Sequence, residues 1–292
     1  MTASTSTGAI LITGCSSGIG RAAAIALHEA GLTVYASARR PETLDGLSTR
    51  GIRTLALDVT NEQSMAAAVG AVESEAGAVG VLVNNAGYGL YGSVEQLPMT
   101  EIRRQFETNF FGLVRLTQLV LPGMRRAGRG RILNISSMGG RTTLPGGAFY
   151  HASKYAVESF SDALRMEVRQ FGIDVVLIEP GPVRTPWNDV AASSMAASSV
   201  TVADEDNGAQ DPYAAYKSAV AASFASVTSG PMVRFGSSAE DVAKVITKAV
   251  TVRRPRTRYL INGVARGLVT MKRWLPDRIH DAVLRRQYGL PG

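Results

Sequence analysis

The sequence contains very little cysteine and histidine, and it has no long apolar run. Cys15 is the only cysteine among 292 residues, which excludes an intrachain disulfide and fits a reducing cytoplasm, where we expect the protein to act. His28 and His280 fall on predicted surface helices without partners at metal-ligand spacing, so no metal site is predicted. No run of about 18 apolar residues is present and the opening residues lack a basic stretch, so neither a spanning helix nor a secretory signal is expected.

Acidic residues are also in the minority. The chain has 31 lysines and arginines against 24 aspartates and glutamates, a formal net charge of +7. This excess indicates affinity for anions, and a phosphorylated cofactor, nucleic acid and an acidic membrane surface would all satisfy it. The 45% hydrophobic and 19% charged content is typical of a globular protein, and the length fits one large domain over residues 1–292.

Short apolar runs alternate with helical stretches along most of the chain. Strands are predicted at 9–13, 32–38, 53–57, 79–84, 130–136, 173–179 and 258–261, with long helices at 100–126 and 149–171. Such alternation predicts an α/β fold, a doubly wound Rossmann-type domain with a parallel sheet of about seven strands and helices on both faces.

Two segments interrupt this alternation. Residues 190–208 are rich in Ala, Ser, Thr and acids with little periodicity, and we expect a mobile substrate lid over about 188–235. Residues 264–288 form a predicted helical extension that Pro276 must interrupt. Its apolar residues fall roughly on one face, which could cover a pocket, contact a subunit or lie on a membrane: Leu268, Met271, Leu275, Ile279 and Val283.

The stretch from Ser137 to Lys154 carries the groups of a proton-transfer site. Tyr150 and Lys154 are four residues apart, so on a helix their side chains share one face. A cation near a phenol favours the phenolate, and lowering its pKa from about 10 to about 7 takes roughly 4 kcal/mol. Ser137 precedes Tyr150 at a strand end and could donate to a substrate oxygen. The plain alternative is a surface Tyr–Lys pair.

A glycine loop follows the first strand. Residues 13–20 read TGCSSGIG between a strand and a helix, where glycines permit a tight turn and close approach to a pyrophosphate. Cys15 in this loop is interpreted as a small filler. At the end of the second strand no acid is present, and Arg39 and Arg40 stand where a ribose 2′-phosphate would lie. NADP is therefore favoured over NAD, with Arg39 the stronger candidate and Arg40 equally well explained as solvated.

These motifs together resemble the short-chain dehydrogenase/reductase family. TGxxxGIG at 13–20, NNAG at 84–87, Asn109, Ser137, Tyr150, Lys154 and the Pro180–Gly181 pair occur in the family's order and spacing. The resemblance covers about residues 8–187, and the run from Gly130 to Trp187 is similar to the hydroxysteroid and retinol dehydrogenase branch.

The resemblance implies roles for individual residues. Tyr150 would be the general acid or base, Lys154 would bind the nicotinamide ribose and lower the Tyr150 pKa, Ser137 would orient the carbonyl, and Asn109 would hold a relay water. Asp58 and Val59 would contact the adenine, and Thr185 the carboxamide. The complete implied cofactor set is Gly14, Ser16, Ser17, Gly18, Ile19, Gly20, Arg39, Arg40, Asp58, Val59, Asn85, Ala86, Gly87, Tyr150, Lys154, Pro180, Gly181, Val183 and Thr185.

The leading hypothesis is an NADP(H)-dependent oxidoreductase that interconverts a carbonyl and an alcohol on a fairly bulky apolar substrate, with no nucleic-acid partner. A catalytically silent dinucleotide-binding regulator and a peripheral membrane-associated dehydrogenase are the alternatives. Homo-oligomers are expected from the family. Small residues on the second long helix would permit close helix pairing: Ala152, Ala156, Ser159 and Ala163.

Several other residues are assigned from the sequence to packing or solvent. Candidate pocket walls, for which plain core packing is an equal alternative, are Tyr88, Leu90, Met138, Leu144 and Trp187. A basic cluster is interpreted as a solvated patch: Arg253, Arg254, Arg256 and Arg258. His151 is not expected to be catalytic, because neighbouring helix residues point in different directions.

Overall fold

In the computed structural model, which describes residues 8–197, 211–228 and 236–290, seven parallel strands form one sheet in the order β3-β2-β1-β4-β5-β6-β9. The strands are β1 Ala9–Ile12, β2 Val34–Ala38, β3 Arg53–Ala56, β4 Val79–Asn84, β5 Gly130–Ile135, β6 Ile173–Pro180 and β9 Arg258–Ile261. A separate two-residue pairing joins β7 Val183–Arg184 to β8 Ser237–Ser238. The prediction of a seven-stranded parallel sheet is confirmed.

Helices cover both faces of the sheet. Their bounds are α1 Gly18–Glu29, α2 Asp45–Ser48, α3 Glu62–Ala76, α4 Met99–Phe106, α5 Gly112–Arg126, α6 Ala148–Val168, α7 Trp187–Ala197, α8 Ala214–Thr228, α9 Ala239–Thr251, α10 Gly263–Trp274 and α11 Asp277–Gln287. Because strand side chains alternate, Ile10 and Ile12 enter the core under α1 and α9, and Leu11 enters the core under α3, α5 and α6. None of the helices in the described ranges combines the length and apolarity needed to cross a bilayer.

Local signals set several helix ends as predicted. The Asn61 side chain accepts a hydrogen bond from the Ser64 amide at the start of α3, and Ser238 forms a reciprocal capping box with Asp241 at the start of α9. The predicted stop at Gly172 is confirmed, because this glycine adopts a left-handed conformation with φ of 71°.

The first long helix has an irregularity that the sequence did not predict. Residues 99–126 are continuously helical, but Glu107–Phe111 form a π-helical turn between α4 and α5. Asn109 lies in this turn and is 1% exposed. The π turn changes the direction of the side chains on this helix, and within it Asn109 faces inward toward α6.

The predicted lid region is largely helical where the structure describes it. Helices α7 and α8 occupy 187–197 and 214–228, although the composition of 190–208 gave little sign of a helix. Tertiary contacts override the weak local pattern, because Ala191, Met195 and Val220 pack against the aromatic side chain of Tyr91. The remainder of the predicted lid, 198–210 and 229–235, lies outside the described residues.

The C-terminal extension consists of two helices, and Pro276 separates them as predicted. The predicted apolar face of α11 is turned to solvent, since Ile279 is 51% and Val283 42% exposed, while His280 and Leu284 are buried. His280 was expected at the surface, but its Nε2 lies 3.4 Å from the Thr142 hydroxyl. A long-range contact with residues 141–147 therefore sets which side of α11 faces the protein.

Candidate active site

The glycine loop after β1 is tightly tied to the end of β4. Asn85 Nδ2 donates to the carbonyl oxygens of Thr13 at 2.9 Å and Gly14 at 3.1 Å. Gly14 has φ of 71°, and a Cβ at Gly20 would collide with the Gly14 carbonyl oxygen and with Asn85. Ala86 also donates its amide to Thr13 Oγ1. The loop therefore requires glycine at these positions, and the Asn85 side chain supports the loop backbone.

The start of α1 is suited to an anion. Ser17 is the N-cap, yet its side chain makes no capping hydrogen bond, and the first turn contains no acid. Ser16 and Ser17 are exposed, so the helix N-terminus and two hydroxyls face one open space. A Cβ at Gly18, which has φ of 56°, would lie 3.4 Å from the Thr185 side chain. Thr185 therefore lies against the start of α1.

The remaining predicted cofactor residues lie along the carboxyl edge of the sheet. Ile19 is part-buried in α1, Pro180 ends β6, and Val183 is in β7. Gly181 packs so closely on Asn262 that a Cβ there would lie 2.5 Å from the Asn262 Oδ1 atom. These positions adjoin the crevice between β1 and β4, where the strand order reverses and parallel sheets bind ligands.

Two exposed arginines follow β2, and a carboxylate follows β3. Arg39 and Arg40 are solvent-exposed, and within the described residues neither guanidinium forms an ion pair. Burial raises the pKa of Tyr88, while the charges of Arg104 and Arg39 act in the opposite direction. Asp58 Oδ1 accepts from the Thr60 amide and hydroxyl at 2.9 and 2.8 Å. This part of the edge can hold the adenosine end of a dinucleotide.

A second group of polar atoms surrounds exposed Gly87. A Cβ placed on this glycine would lie 3.1 Å from Asn109 Oδ1 and 3.7 Å from Lys154 Nζ. Asn109 holds the backbone of Tyr88 through both amide atoms, at 3.0 and 2.9 Å, and donates to Ser153 at 3.1 Å. The structure thus brings together three predicted residues that are separated by up to 67 positions in the chain.

Tyr150 and Ser137 form the centre of the site. The Gly139 amide donates to Ser137 Oγ at 3.0 Å, which fixes this hydroxyl at the start of the turn. Burial raises the pKa of Tyr150 to about 12, and Ser137 opposes this rise, as a group that favours the phenolate does. At neutral pH the phenol holds its proton and can act as an acid.

Lys154 is directed away from the Tyr150 phenol. Its Nζ donates to the Ile135 carbonyl oxygen at 2.8 Å, and burial lowers the pKa of Lys154 to about 8, with the Glu158 charge opposing. Burial and Ser137 set the Tyr150 pKa in this structure, and its lowering by Lys154 together with an oxidised nicotinamide stays a prediction. The helix spacing was correct, but the lysine is directed to the end of β5.

Sequence reasoning missed a charged network beneath Lys154. Glu158 is 7% exposed and Glu179 is fully buried. Burial, followed by the Glu179 charge, raises the pKa of Glu158 to about 7. Arg258 contacts Glu158 at 3.2 Å and Glu179 at 3.1 Å, and Arg141 contacts Glu179 at 3.4 Å. The prediction of a solvated patch is therefore wrong for Arg258, although Arg253, Arg254 and Arg256 are exposed.

An aromatic wall covers Tyr150. The ring centroids of Trp187 and Tyr91 lie 5.1 and 5.7 Å from that of Tyr150. Tyr288, after α11, joins the same cluster, so the C-terminal extension lines this side of the site. Of the other candidate walls, Tyr88 and Leu90 pack in one apolar cluster, and Met138 and Leu144 in another with α10.

His151 and Cys15 have packing roles. His151 is buried, its Nδ1 lies 3.1 Å from the Gly139 carbonyl oxygen, and burial lowers its pKa to about 4. A neutral ring therefore supports the turn that holds Ser137. Burial also raises the pKa of Cys15 to about 12, so this thiol is an inert filler at neutral pH.

Comparison with known proteins agrees with this geometry. The family model described as short chain dehydrogenase matches residues 8–196. The chain is a short-chain dehydrogenase. This oxidoreductase is 38% identical to a 3-ketodihydrosphingosine reductase of Bacteroides thetaiotaomicron, over 96% of this chain and 98% of the relative. It is 36% identical to human retinol dehydrogenase 8, over 90% and 84% of the two chains.

Solved structures share the fold of this short-chain dehydrogenase. A short-chain dehydrogenase from Streptomyces avermitilis is 32% identical, with a TM-score of 0.76 and 96% of each chain covered. The closed form of a serine dehydrogenase complexed with NADP+ is 26% identical, with a TM-score of 0.72 over 88% of this chain and 95% of that one. The family match ends before α8, so the C-terminal wall of the site lies outside it.

Proposed function

We propose that this short-chain dehydrogenase is an NADP(H)-dependent oxidoreductase that interconverts a carbonyl and an alcohol on a fairly bulky apolar substrate. The observation that carries the proposal is the buried Tyr150 phenol with Ser137 acting on it, while Lys154 and Asn109 lie around Gly87 close to the glycine loop. A named retinol dehydrogenase and a named 3-ketodihydrosphingosine reductase among the relatives support the reaction class.

The residues fit a nicotinamide dinucleotide. Ser16, Ser17 and the uncapped start of α1 would hold the pyrophosphate, while Arg39 would meet a 2′-phosphate with its planar fork of donors. The NADP+ in the serine dehydrogenase complex supports this choice. When bound, the cofactor supplies or accepts the hydride.

The protein's own groups handle the proton. In carbonyl reduction, Tyr150 donates its proton to the substrate oxygen, which Ser137 orients by a hydrogen bond. With a pKa of about 12, the phenol is protonated throughout the neutral range, which suits the acid role. Lys154 and Asn109 line the opposite side near Gly87, where they would hold the cofactor ribose and a relay water.

The substrate side of the site is apolar. Tyr91, Trp187 and Tyr288 supply aromatic surface around Tyr150, and Met195 and Val220 complete it. Few charged groups are present in this cluster, so a polar or charged substrate would lose hydration without compensation. This composition supports a bulky apolar ketone, aldehyde or alcohol.

The test is Tyr150→Phe, with NADPH oxidation measured against a panel of ketones, steroids and retinoids. We expect turnover to fall by at least ~100-fold, because the proton donor is removed, while the dissociation constant of NADPH changes little. Tyr155→Phe on the same helix is the matched control, since Tyr155 is 39% exposed and should retain activity. Turnover of Tyr150→Phe within twofold of wild type would overturn the proposal.

A further inference from the structure

The outer face of α10 and α11 exposes large apolar side chains. Trp274 is 74% exposed, Ile279 51% and Val283 42%. The opposite side of α11 is already occupied, because His280 and Leu284 are buried in the protein. Trp274, Ile279 and Val283 are called the apolar strip. Their side chains are exposed and are not part of the buried side of α11.

Arginines lie beside this apolar strip. On a helix of about 3.6 residues per turn, Arg286 lies about 20° from Ile279 and one turn beyond Val283, and Arg278 lies about 100° from Ile279 on the same side as Arg286. Neither arginine forms an ion pair with another described residue. The Arg273 guanidinium lies 5.6 Å from the Trp274 ring. Residues 263–288 contain six basic residues against two acidic ones.

We propose that the outer face of α10 and α11 docks on the surface of an anionic phospholipid bilayer. Exposed aromatic and aliphatic side chains beside arginines match the two zones of such a surface, in which apolar groups enter the acyl boundary and cations meet the phosphates. Trp274 and Ile279 would enter the boundary, with Arg278 and Arg286 at the headgroups.

Charge favours a bilayer over a second copy of this chain. Pairing two of these faces would bring arginines of like charge together, which opposes association. The three apolar residues also offer much less area than the roughly 800 Å² per partner of a stable dimer. An anionic membrane removes both difficulties, since its charge is opposite and its apolar layer is continuous.

The docking face adjoins the catalytic region through α11. His280 on the inner side contacts Thr142, and Tyr288 at the end of the helix joins the aromatic cluster around Tyr150. A protein docked in this way would hold its apolar wall close to the bilayer, where apolar substrates concentrate. The docking itself does not depend on the proposed reaction.

The test is flotation of the full-length protein with vesicles of phosphatidylcholine alone or mixed with phosphatidylglycerol. We expect binding to the anionic vesicles only, and its loss at high salt. Arg278→Gln with Arg286→Gln should lower the partition coefficient by about 30-fold, from two contributions of about fivefold each. Lys244→Gln with Lys248→Gln is the matched control, because it removes two exposed charges from α9 and should leave binding unchanged.

Trp274 provides a second measurement. The chain contains two tryptophans, so Trp187→Phe leaves Trp274 as its only tryptophan, which can be excited selectively at wavelengths that tyrosine does not absorb. Its emission should shift to shorter wavelength on anionic vesicles and be quenched by brominated lipid. Equal binding of the arginine pair variant and its control, or unchanged Trp274 emission, would overturn the proposal. Association of the protein with itself through this face, seen as a concentration-dependent mass without lipid and lost in Ile279→Ser, would also overturn it.

Discussion

Burial acts in opposite directions on the two titratable groups at the centre of the site. It raises the pKa of Tyr150 to about 12 and lowers the pKa of Lys154 to about 8, so both shifts favour the uncharged form. The phenol is therefore ready to donate a proton at neutral pH. The reverse reaction, which needs the phenolate, should become easier as the pH rises toward the Tyr150 pKa.

Arg39 is the residue on which the proposed preference for NADP depends. Arg39→Asp places a negative charge where the 2′-phosphate would lie, so we expect the preference for NADPH over NADH to fall by at least tenfold or to reverse. Dissociation constants of both cofactors, measured by fluorescence, would show this.

Reversing the charge of a second exposed arginine provides the control for this prediction. Arg50→Asp changes another exposed arginine that pairs with Glu29 at 3.8 Å, and its effect on cofactor preference should be small. An unchanged preference in Arg39→Asp would contradict the assignment of the 2′-phosphate.

Motifs of short range could be predicted from the sequence, but contacts of long range could not. The spacing of Ser137, Tyr150 and Lys154 follows from one strand end and one helix, so these residues were found. Glu158 and Glu179 were missed because each looks like an ordinary surface acid until β6 and α6 pack together. Only covariation between distant positions, which a single sequence does not contain, could have revealed them.

At the scale of elements, helix ends were easier to predict than helix environments. Asn61, Ser238 and Pro276 act through groups a few residues away, and each has its predicted position in the structure. The π turn around Asn109 and the buried side of α11 depend on neighbouring elements instead. Pairing between subunits through Ala152 and Ala163, both exposed on α6, stays a prediction.

Two helical glycines offer a matched test of packing between elements. A Cβ at Gly112 would collide with the Val59 carbonyl and lie 2.9 Å from the Val59 Cβ, whereas a Cβ at Gly70 would meet nothing within 4 Å. We expect Gly112→Ala to destabilise the protein by about 1–3 kcal/mol, because α5 must move from the segment that follows β3. Gly70→Ala should instead stabilise it by about 0.5–1 kcal/mol. Urea unfolding would measure both, and equal effects would contradict this packing.

At the scale of the whole molecule, a buried charge network joins distant parts of the chain. Glu158 from α6, Glu179 from β6 and Arg258 from β9 meet within one apolar interior. Asp162 completes the network at the surface, accepting from Arg258 at 2.6 and 2.7 Å. Two carboxyl groups in this position are most stable when they share a proton.

The network predicts a dependence of stability on pH. The pKa of Glu158 is raised from an ordinary value near 4.5 to about 7, so the folded state binds a proton that the unfolded state releases. Its contribution to the free energy of unfolding is complete below pH 4.5 and is lost as the pH rises through about 7. The stability of wild type relative to Glu158→Gln should therefore fall across this range.

Urea unfolding of both proteins at intervals between pH 4 and 8, about the range of the titration, would measure this difference. Glu167→Gln on the same helix is the control, because Glu167 is exposed and its substitution should leave the pH profile unchanged. A constant difference between wild type and Glu158→Gln would contradict the shared proton.

The position of Tyr288 has a consequence for how such an enzyme can diversify. Tyr288 packs on the cluster that contains Tyr150, although 138 positions separate them and the family match ends at residue 196. Exchange of the final two helices can therefore change substrate preference, while the residues proposed for hydride and proton transfer stay the same. Chimaeras that swap this terminal module between relatives are a direct route to new selectivity.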